Sequence, residues 1–219
     1  MNPASAMALD LGDGLRVQQL TTSEELEAHR ESFVWAYQTI FAGPPYFEQY
    51  QPEEADGIYR QLTRTPGHLT MIATRGLNAV VGFGIAIPLE GKQDVARELR
   101  GLIPIQHSFY LAELGVLEEF RARGLGRTLV FERLRRIDRS RYNGVVLRVA
   151  ATRNASYDMY RAMGFEDMGV YMEVPSMRTD GRVTTDRRLF LYGSLDQLQT
   201  DETSAAARRW SIEPSTRRE

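Results

Sequence analysis

The residues with the clearest chemical potential lie in one short turn. Arg121, Gly124 and Gly126 occupy positions one, four and six of an Arg-x-x-Gly-x-Gly pattern, between an apolar segment and a predicted helix. Glycines at such positions let the backbone turn sharply and approach a ligand closely. The free N–H groups and the dipole of the following helix attract an anion. The pattern therefore predicts an anion site suited to a pyrophosphate.

Two other interpretations fit the same segment. Glycine-containing turns before solvent-exposed helices are common, so the pattern alone does not establish a ligand. The stretch from Arg121 to Arg141 also holds eight arginines against Glu132 and Asp138, a balance that would suit nucleic acid. The sequence lacks the interleaved aromatic residues and the recognisable module that nucleic-acid binding usually involves. We therefore expect no nucleic-acid partner.

A second distinctive block follows the next predicted strand and spans Asn154 to Phe165. Asn154 is a favourable residue for a helix cap. Tyr157 and Tyr160 are three residues apart on the short helix that it would begin, so they share part of one face. The block therefore predicts a capped helix that presents two phenol hydroxyl groups.

The sequence excludes several other kinds of chemistry. It has no cysteine, so disulfides, thiol nucleophiles and cysteine-ligated zinc are ruled out. His29, His68 and His107 are scattered singly, and we expect no metal site. Gly84 to Lys92 has the wrong spacing for a phosphate-binding P-loop, and no Gly-x-Ser-x-Gly motif occurs.

Hydrophobic periodicity predicts the elements that must position these residues. The expected strands are 15–20, 69–73, 80–87, 108–117, 145–150, 168–174 and 188–192, and the expected helices are 23–41, 53–62, 125–139 and 155–163. A short helical segment is also expected within 90–100. The strand–helix–strand unit from Ser108 to Ala150 implies locally parallel pairing. We predict one α/β domain with a mixed sheet.

Composition and charge are typical of a globular protein. The chain has 219 residues, of which 42% are hydrophobic and 26% charged, and its net charge is -2. We divide it into a flexible N-terminal lead at 1–14, a folded domain at 15–196 and a disordered tail at 197–219. The sequence shows no signal peptide and no membrane-spanning stretch, so we expect a cytoplasmic protein without a membrane partner.

The two motif blocks together resemble the GNAT N-acetyltransferase superfamily. The resemblance rests on the Arg-x-x-Gly-x-Gly turn and the later Asn…Tyr-x-x-x-Gly-Phe helix, and it is clear from Phe109 to Phe165. It implies a mixed, mainly antiparallel sheet with a parallel, splayed strand pair and flanking helices. It also implies acetyl-coenzyme A as cosubstrate, without a metal, and a primary amine of a small molecule or peptide as acceptor. Sheet edges in this family often pair, so a homodimer is compatible with the resemblance.

The resemblance assigns the cosubstrate to the strand, the turn and the two helices that follow. Backbone groups of Leu114 and Val116 would pair with pantetheine, and one of their N–H groups would face the thioester oxygen. A fixed donor of this kind lowers a reaction barrier by about 3 kcal/mol. The full set of expected cosubstrate-binding residues is Leu114, Val116, Arg121, Arg123, Gly124, Leu125, Gly126, Arg127, Thr128, Asn154 and Tyr157.

The same resemblance matches Tyr160 with the tyrosine that protonates the departing thiolate. A phenol with a pKa of about 10 is a suitable donor to a thiolate with a pKa of about 8.5 or above. Tyr157 is the alternative donor. Glu113 is the first candidate for the base that removes the amine proton, although pleat alternation turns it away from the oxyanion donors. Some relatives use a base on the following strand, where Arg148 stands and cannot serve.

The acceptor is expected between the first two helices and the last strands. Tyr37, Tyr46, Phe47 and Glu48 form the aromatic and acidic edge of that region, beside a Gly-Pro-Pro turn. Glu48 is suited to bind a cationic amine, whereas the aromatic residues are equally compatible with core packing. The sequence does not identify the amine.

Two alternatives to an enzyme stay open. The same groove would serve a non-catalytic acyl-coenzyme A sensor, in which Tyr160 only fills the core and Glu113 forms a structural ion pair. The other alternative is a domain that binds nucleic acid through its arginine-rich helix.

Overall fold

The computed structural model describes residues 8–152 and 154–198. Within these residues the strands are β1 (Leu9–Gly12), β2 (Leu15–Leu20), β3 (Leu69–Arg75), β4 (Ala79–Pro88), β5 (Ser108–Val116), β6 (Gly144–Ala150), β7 (Glu166–Met177) and β8 (Val183–Ser194). The helices are α1 (Ser23–Ala42), α2 (Pro52–Thr63), α3 (Gln93–Glu98), α4 (Leu125–Leu134) and α5 (Ala155–Ala162).

All eight strands belong to one sheet with the order β1-β2-β3-β4-β5-β6-β8-β7. Every neighbouring pair is antiparallel except β5 and β6, which are joined by the crossover helix α4 and run parallel. Their pairing ends at Leu111 and Leu147, whereas β5 continues to Val116 and β6 to Ala150. The two strands therefore separate and leave a cleft, which confirms the predicted fold class.

Helices cover both faces of the sheet. On one face, Phe33 of α1 packs against Phe83 of β4 with ring centroids 4.5 Å apart, and Tyr59 of α2 completes the aromatic cluster. On the other face, Val130 and Leu134 of α4 are fully buried in a second cluster with β5 and β6. Apolar burial on both faces explains why β4, β5 and β6 are almost continuously hydrophobic.

A bulge interrupts the pairing of β4 and β5 directly beside the cleft. Ala86 pairs with Leu111 and Ile85 pairs with Glu113, so Ala112 is an extra residue on β5. Simple alternation from Leu111, which packs on the α4 face, would place Glu113 on that face too. The bulge turns Glu113 to the α1 face, where the Tyr37 hydroxyl donates to its Oε2 over 3.4 Å.

A fully buried arginine occupies the space under this bulge. Arg133 of α4 has no exposed surface. Its Nη1 donates to the carbonyl oxygens of Ile85 and Glu113 at 3.1 and 3.0 Å, and its Nε donates to Leu129 at 3.0 Å. Only glycine leaves room at position 84, because a Cβ on Gly84 would lie 2.8 Å from the Arg133 Nε. The guanidinium thus donates to a buried carbonyl group on each of the two strands beside the bulge.

The N-terminal lead contains a strand that the sequence analysis missed. Leu9–Gly12 forms β1 and pairs with β2. The connecting residues Asp13 and Gly14 have φ values of 52° and 71°. Two successive positive φ values are what a tight antiparallel hairpin requires, and Asp-Gly is a favoured pair there. The folded part of the chain therefore begins before residue 15.

Helix α4 ends at Leu134, earlier than the predicted limit of residue 139. A turn around Asp138 replaces the last helical turns, because its backbone carbonyl accepts N–H groups of Arg141 and Tyr142. Its carboxylate also accepts the N–H of Ser140 at 2.9 Å. The apolar side chain of Ile137 is still buried, which explains why periodicity suggested a longer helix.

The C-terminal limits also differ from the expectation. Strands β7 and β8 are longer than predicted, because β7 alternates between exposed and half-buried residues and gives a weak hydrophobic signal. Leu198, placed in the expected tail, is buried, and a Cβ on Gly193 would lie 2.5 Å from its side chain. The rest of that tail, residues 199–219, lies outside the described residues.

Replacing Arg133 with methionine should reduce stability. The carbonyl groups of Ile85 and Glu113 would lose their donor while staying buried, so we expect the free energy of unfolding to fall by about 2–4 kcal/mol. Urea unfolding measures this change. Arg123→Met is the matched control, since Arg123 lies on the same stretch of chain and its side chain is exposed. Equal stability of the two variants would contradict the bracing role of Arg133.

Candidate active site

Two connected cavities open where β5 and β6 separate. The larger, about 370 Å³, is called the turn groove here, and the smaller, about 160 Å³, the inner cavity. The turn groove is lined by the motif turn and α5, including Val116, Arg121, Gly124, Gly126, Arg127 and Met159. The inner cavity is lined by Tyr37, Glu48, Glu113, Arg148, Tyr160 and Arg188, among others. Four residues line both cavities: Tyr46, Leu114, Asn154 and Ser156.

The motif turn leaves its backbone open toward the turn groove. Ala122 and Gly124 have φ values of 58° and 88°. A Cβ on Gly124 would meet no atom within 4 Å, so the glycine serves the backbone conformation rather than relieving a contact inside the protein. By helix geometry, the first N–H groups of α4 have no intrahelical acceptor. This arrangement can bind an anion.

Arg121 of the motif braces the turn. Its Nε donates to the Val116 carbonyl at 2.9 Å, and its Nη1 donates to the Pro44 carbonyl at 2.7 Å. The side chain therefore ties the motif turn to the end of β5 and to the Gly-Pro-Pro loop. Its guanidinium lines the groove while two of its donors are used internally.

Of the other predicted residues of this segment, one lines the turn groove, one is exposed and two are buried. Arg127 lines the groove, with its guanidinium 5.2 Å from the ring centroid of Phe131. Arg123 is exposed and outside the groove lining. Leu125 and Thr128 are buried on the inner side of α4, and the Thr128 hydroxyl donates to the Gly124 carbonyl at 3.3 Å.

Helix α5 begins at its predicted cap and places one tyrosine in the inner cavity. The Asn154 side chain accepts the Tyr157 N–H at 3.0 Å. Tyr160 lines the inner cavity and is 4% exposed. Burial raises the pKa of Tyr160 to about 12, and the nearby positive charge of Arg133 opposes that rise. Tyr157 is half-buried and lines neither cavity.

Glu113 is a carboxylate with a strongly shifted pKa. Burial raises the pKa of Glu113 to about 7, and the positive charges of Arg148 and Lys92 oppose the rise. Tyr37 donates a long hydrogen bond to it. Among the described residues no arginine or lysine forms an ion pair with Glu113, so the group can change its protonation state near neutral pH.

Glu48, in contrast, is already neutralised within the protein. It is 3% exposed, forms an ion pair with Arg188, and accepts a hydrogen bond from Tyr50 at 2.9 Å. These partners leave it poorly suited to bind a cationic amine as the sequence suggested. Of its predicted neighbours, Tyr37 and Tyr46 line the inner cavity, whereas Phe47 is 52% exposed and lines neither cavity.

Three arginines that shape the inner cavity are absent from the predicted site residues, although the sequence analysis named Arg148 as a residue unable to act as the base. Arg148 and Arg188 line it, and Arg133 lies behind Tyr160. A signal existed for two of them. Arg148 interrupts the otherwise apolar β6, and Arg133 is four residues after the buried Leu129, a spacing that faces the core on a helix.

The described residues hold no group of three or more His, Asp or Glu side chains placed to bind a metal. Nor does that part of the chain contain a helix long and apolar enough to cross a membrane.

The sequence matches one protein family. A model of the Acetyltransferase (GNAT) family matches residues 26–165, which is more than half of the chain. None of the curated protein sequences matches the chain significantly.

Solved structures share the fold. A ribosomal-protein-alanine N-acetyltransferase from Brucella melitensis is 20% identical, with a TM-score of 0.58 over 81% of this chain and 98% of that one. An N-acetyltransferase from Staphylococcus aureus Mu50 is 12% identical, with a TM-score of 0.57 over 83% and 98%. Arabidopsis thaliana NAA60, solved with acetyl-CoA, is 16% identical, with a TM-score of 0.55 over 83% and 99%. At these identities the likeness concerns the fold alone.

The raised pKa of Glu113 predicts a pH-dependent effect on stability. Between a pKa of about 4.5 in the unfolded chain and about 7 in the folded one, the native state holds a proton that the unfolded state has lost. This group therefore destabilises the fold increasingly as pH rises through that window. Glu113→Gln removes the effect, so urea unfolding should show the variant gaining about 2–3 kcal/mol over the native protein between pH 5 and pH 8.

The matched control for this measurement is Glu119→Gln, because Glu119 is exposed. The difference in the free energy of unfolding between Glu119→Gln and the native protein should be the same at pH 5 and pH 8. A Glu113→Gln difference that is equally constant would mean that Glu113 titrates normally.

Proposed function

The chain belongs to the acetyltransferase (GNAT) family, and we propose that it transfers an acetyl group from acetyl-coenzyme A to a primary amine of a small molecule or peptide. The observation that best supports this proposal is the junction of the two cavities. A groove suited to a diphosphate shares Leu114 and Asn154 of its lining with a cavity that is lined by Glu113 and Tyr160. The reaction would take place at that junction, in a ternary complex.

The turn groove would bind the cosubstrate, which supplies the thioester. Its volume of about 370 Å³, the open backbone at Gly124 and the N-terminus of α4 suit a long molecule with a pyrophosphate. Arg127 adds positive charge at the same end. Arg121 would act mainly by holding the turn in place, because two of its donors bind carbonyl groups of the protein.

Strand β5 would stabilise the developing oxyanion. Beyond Leu111 its edge has separated from β6, so backbone N–H groups on that edge are available to a ligand in the cleft. Leu114 lines both cavities, which makes its N–H the first candidate donor. A preorganised donor of this type contributes about 3 kcal/mol to transition-state stabilisation.

Glu113 and Tyr160 would divide the proton transfers. A carboxyl group with a pKa of about 7 accepts a proton from the amine near neutral pH, whereas a tyrosine with a pKa of about 12 is protonated and can donate to the thiolate. The positive charge of Arg133 near Tyr160 would stabilise the phenolate that this donation leaves. The exclusion of Tyr157 from both cavity linings favours Tyr160 as the donor.

The environment of the arginines argues against nucleic acid as the partner. Arg133 is buried, Arg121 donates to two carbonyl groups, and Arg136 is paired with Glu132. The arginine-rich stretch therefore does not form one continuous basic face. The sensor alternative uses the same groove, and only a measurement of turnover distinguishes it from an enzyme.

Calorimetric titration with acetyl-coenzyme A should give micromolar binding that Gly124→Val abolishes. A valine side chain disfavours the φ of +88° at that position and projects into the groove. Gly101→Val is the matched control, because Gly101 also has a positive φ, +83°, and open space around it but lies outside the groove. An absence of binding to the native protein would remove the acetyltransferase proposal.

Replacing Tyr160 with phenylalanine should lower kcat by about 10²-fold and leave the dissociation constant of acetyl-coenzyme A within about twofold. The substitution removes only the hydroxyl that would protonate the thiolate. Tyr157→Phe serves as the comparison and should retain its turnover. Thiol release with an accepted amine measures both. Full activity of Tyr160→Phe would assign the proton to another donor, and a native protein without turnover on any amine would support the sensor.

A further inference from the structure

The inner cavity contains an arginine for which the proposed chemistry has no use. Arg148 is the first residue of β6 beyond its pairing with β5. Its Nε donates to the Tyr110 hydroxyl at 2.7 Å, and its Nη1 donates to the Met172 sulfur at 2.8 Å. A thioether is a weak acceptor, and a guanidinium has five donors. Among the described residues no carboxylate lies within ion-pair distance of Arg148.

The other charged groups of the cavity have partners. Arg188 forms ion pairs with Glu48 and with Asp186, the latter at 3.2 Å. Lys92, whose charge also acts on Glu113, pairs with Asp94 at 3.3 Å. Of the charged residues that line the inner cavity among the described residues, only Glu113 and Arg148 therefore lack an ion pair. Arg133, which lies outside this lining, donates to backbone carbonyl groups.

An arginine that is largely removed from water is costly to leave without an anion. Arg148 is half-buried, and its side chain lines the cavity rather than facing bulk solvent alone. Glu113 acts on it electrostatically but does not form an ion pair with it. The cavity thus offers one unpaired cation and one titrating carboxyl group from two separated strands.

The size of the cavity suits one small ligand that meets both groups. Its volume of about 160 Å³ is close to that of a cavity that holds a benzene molecule, roughly 150 Å³. Because Glu113 and Arg148 line the same cavity, a ligand of this size can place an amine at Glu113 and a second polar group at Arg148. A carboxylate there would accept two charge-assisted hydrogen bonds in the bidentate geometry that arginine favours.

We propose that the acceptor is an α-amino acid or a similarly small amine with a carboxylate, and that Arg148 binds this carboxylate while Glu113 receives the amine. The inference rests on the proposed acetyl transfer and identifies its substrate class. A peptide N-terminus presents a neutral amide where the free acid has its charge. A polyamine would bring a second positive charge toward Arg148, which is unfavourable.

The transfer balances with the groups that line the cavity. The neutral amine nitrogen forms a bond to the acetyl carbonyl carbon, and the carbon–sulfur bond breaks. Glu113 accepts the proton that nitrogen loses, and the sulfur leaves with the electron pair and takes a proton from Tyr160. Solvent then returns the proton from Glu113 to the tyrosinate. The products are an N-acetylamino acid and coenzyme A.

The test compares matched acceptors in the thiol-release assay. The probes are the standard α-amino acids, their amides and the amines that decarboxylation would leave. We expect at least one free acid with a kcat/KM more than tenfold above that of its amide and its amine. Arg148→Met should lower kcat/KM for that acid by roughly 10–100-fold, the range of a charge-assisted hydrogen bond, while changing the amide by less than about threefold.

Two further variants distinguish a role in binding the carboxylate from a purely structural role of Arg148. Arg148→Lys retains the charge and should recover part of the preference, which a purely structural role for Arg148 would not explain. Arg187→Met should behave like the native protein, since Arg187 is exposed on the neighbouring strand β8 and lines neither cavity. Acetyl-coenzyme A binding, measured on every variant, shows that the cosubstrate site is intact.

Amides or simple amines accepted as well as the free acids would overturn the inference, as would an Arg148→Met variant with an unchanged preference. Binding of acetyl-coenzyme A without acetylation of any free acid would overturn it too, while leaving the proposed cosubstrate in place. A native protein that does not bind acetyl-coenzyme A would instead overturn the proposed function, and the inference with it.

Discussion

The guanidinium of Arg133 lies without exposed surface where α4 crosses β4 and β5, and the geometry of the cleft depends on it. Arg133 donates to the carbonyl groups of Ile85 and Glu113, the pair that lies beside the bulge at Ala112. A buried polar group without a partner costs several times what a satisfied one contributes. The guanidinium therefore holds the bulge, and Gly84 is the residue that leaves it room.

The consequences of this contact extend to both groups proposed for proton transfer. The bulge directs Glu113 toward α1 and the inner cavity, because without it the side chain would follow Leu111 toward α4. The positive charge of Arg133 also acts on the Tyr160 hydroxyl and opposes the rise in its pKa. Burial moves the pKa of Glu113 to about 7 and that of Tyr160 to about 12. Two titratable groups in one cavity are thus separated into an acceptor and a donor of protons.

The charged side chains around the cavity differ in whether they form ion pairs. Low dielectric surroundings make an unpaired charge expensive, so most of the charges are paired, as in the Glu48–Arg188 contact. Among the described residues that line the inner cavity, Arg148 and Glu113 are the charged side chains without an ion pair. Groups left unpaired within a protein are the groups most available to a substrate.

Several features of the protein depend only on residues that are neighbours along the chain. The turn through Arg121 and Gly126, the capped helix at Asn154 and the strand–helix–strand order follow from local conformational preferences and hydrophobic periodicity. These features were sufficient to identify the family. Even locally, the strand Leu9–Gly12 was missed, because a four-residue strand gives little periodic signal.

Which charged side chains remain available to a ligand depends instead on contacts between distant parts of the chain. The sequence predicts that Glu48 binds a cationic amine, but its carboxylate pairs with Arg188, which is 140 residues away in the chain. The direction of Glu113 depends on a one-residue bulge, and a change of one residue reverses the face on which a strand side chain lies. Arg133 has its role because it contacts carbonyl groups of two strands. Arg148 has its role because it contacts the Tyr110 hydroxyl and forms no ion pair with a carboxylate among the described residues. Such relations depend on which distant segments the fold brings together, and no local pattern encodes them.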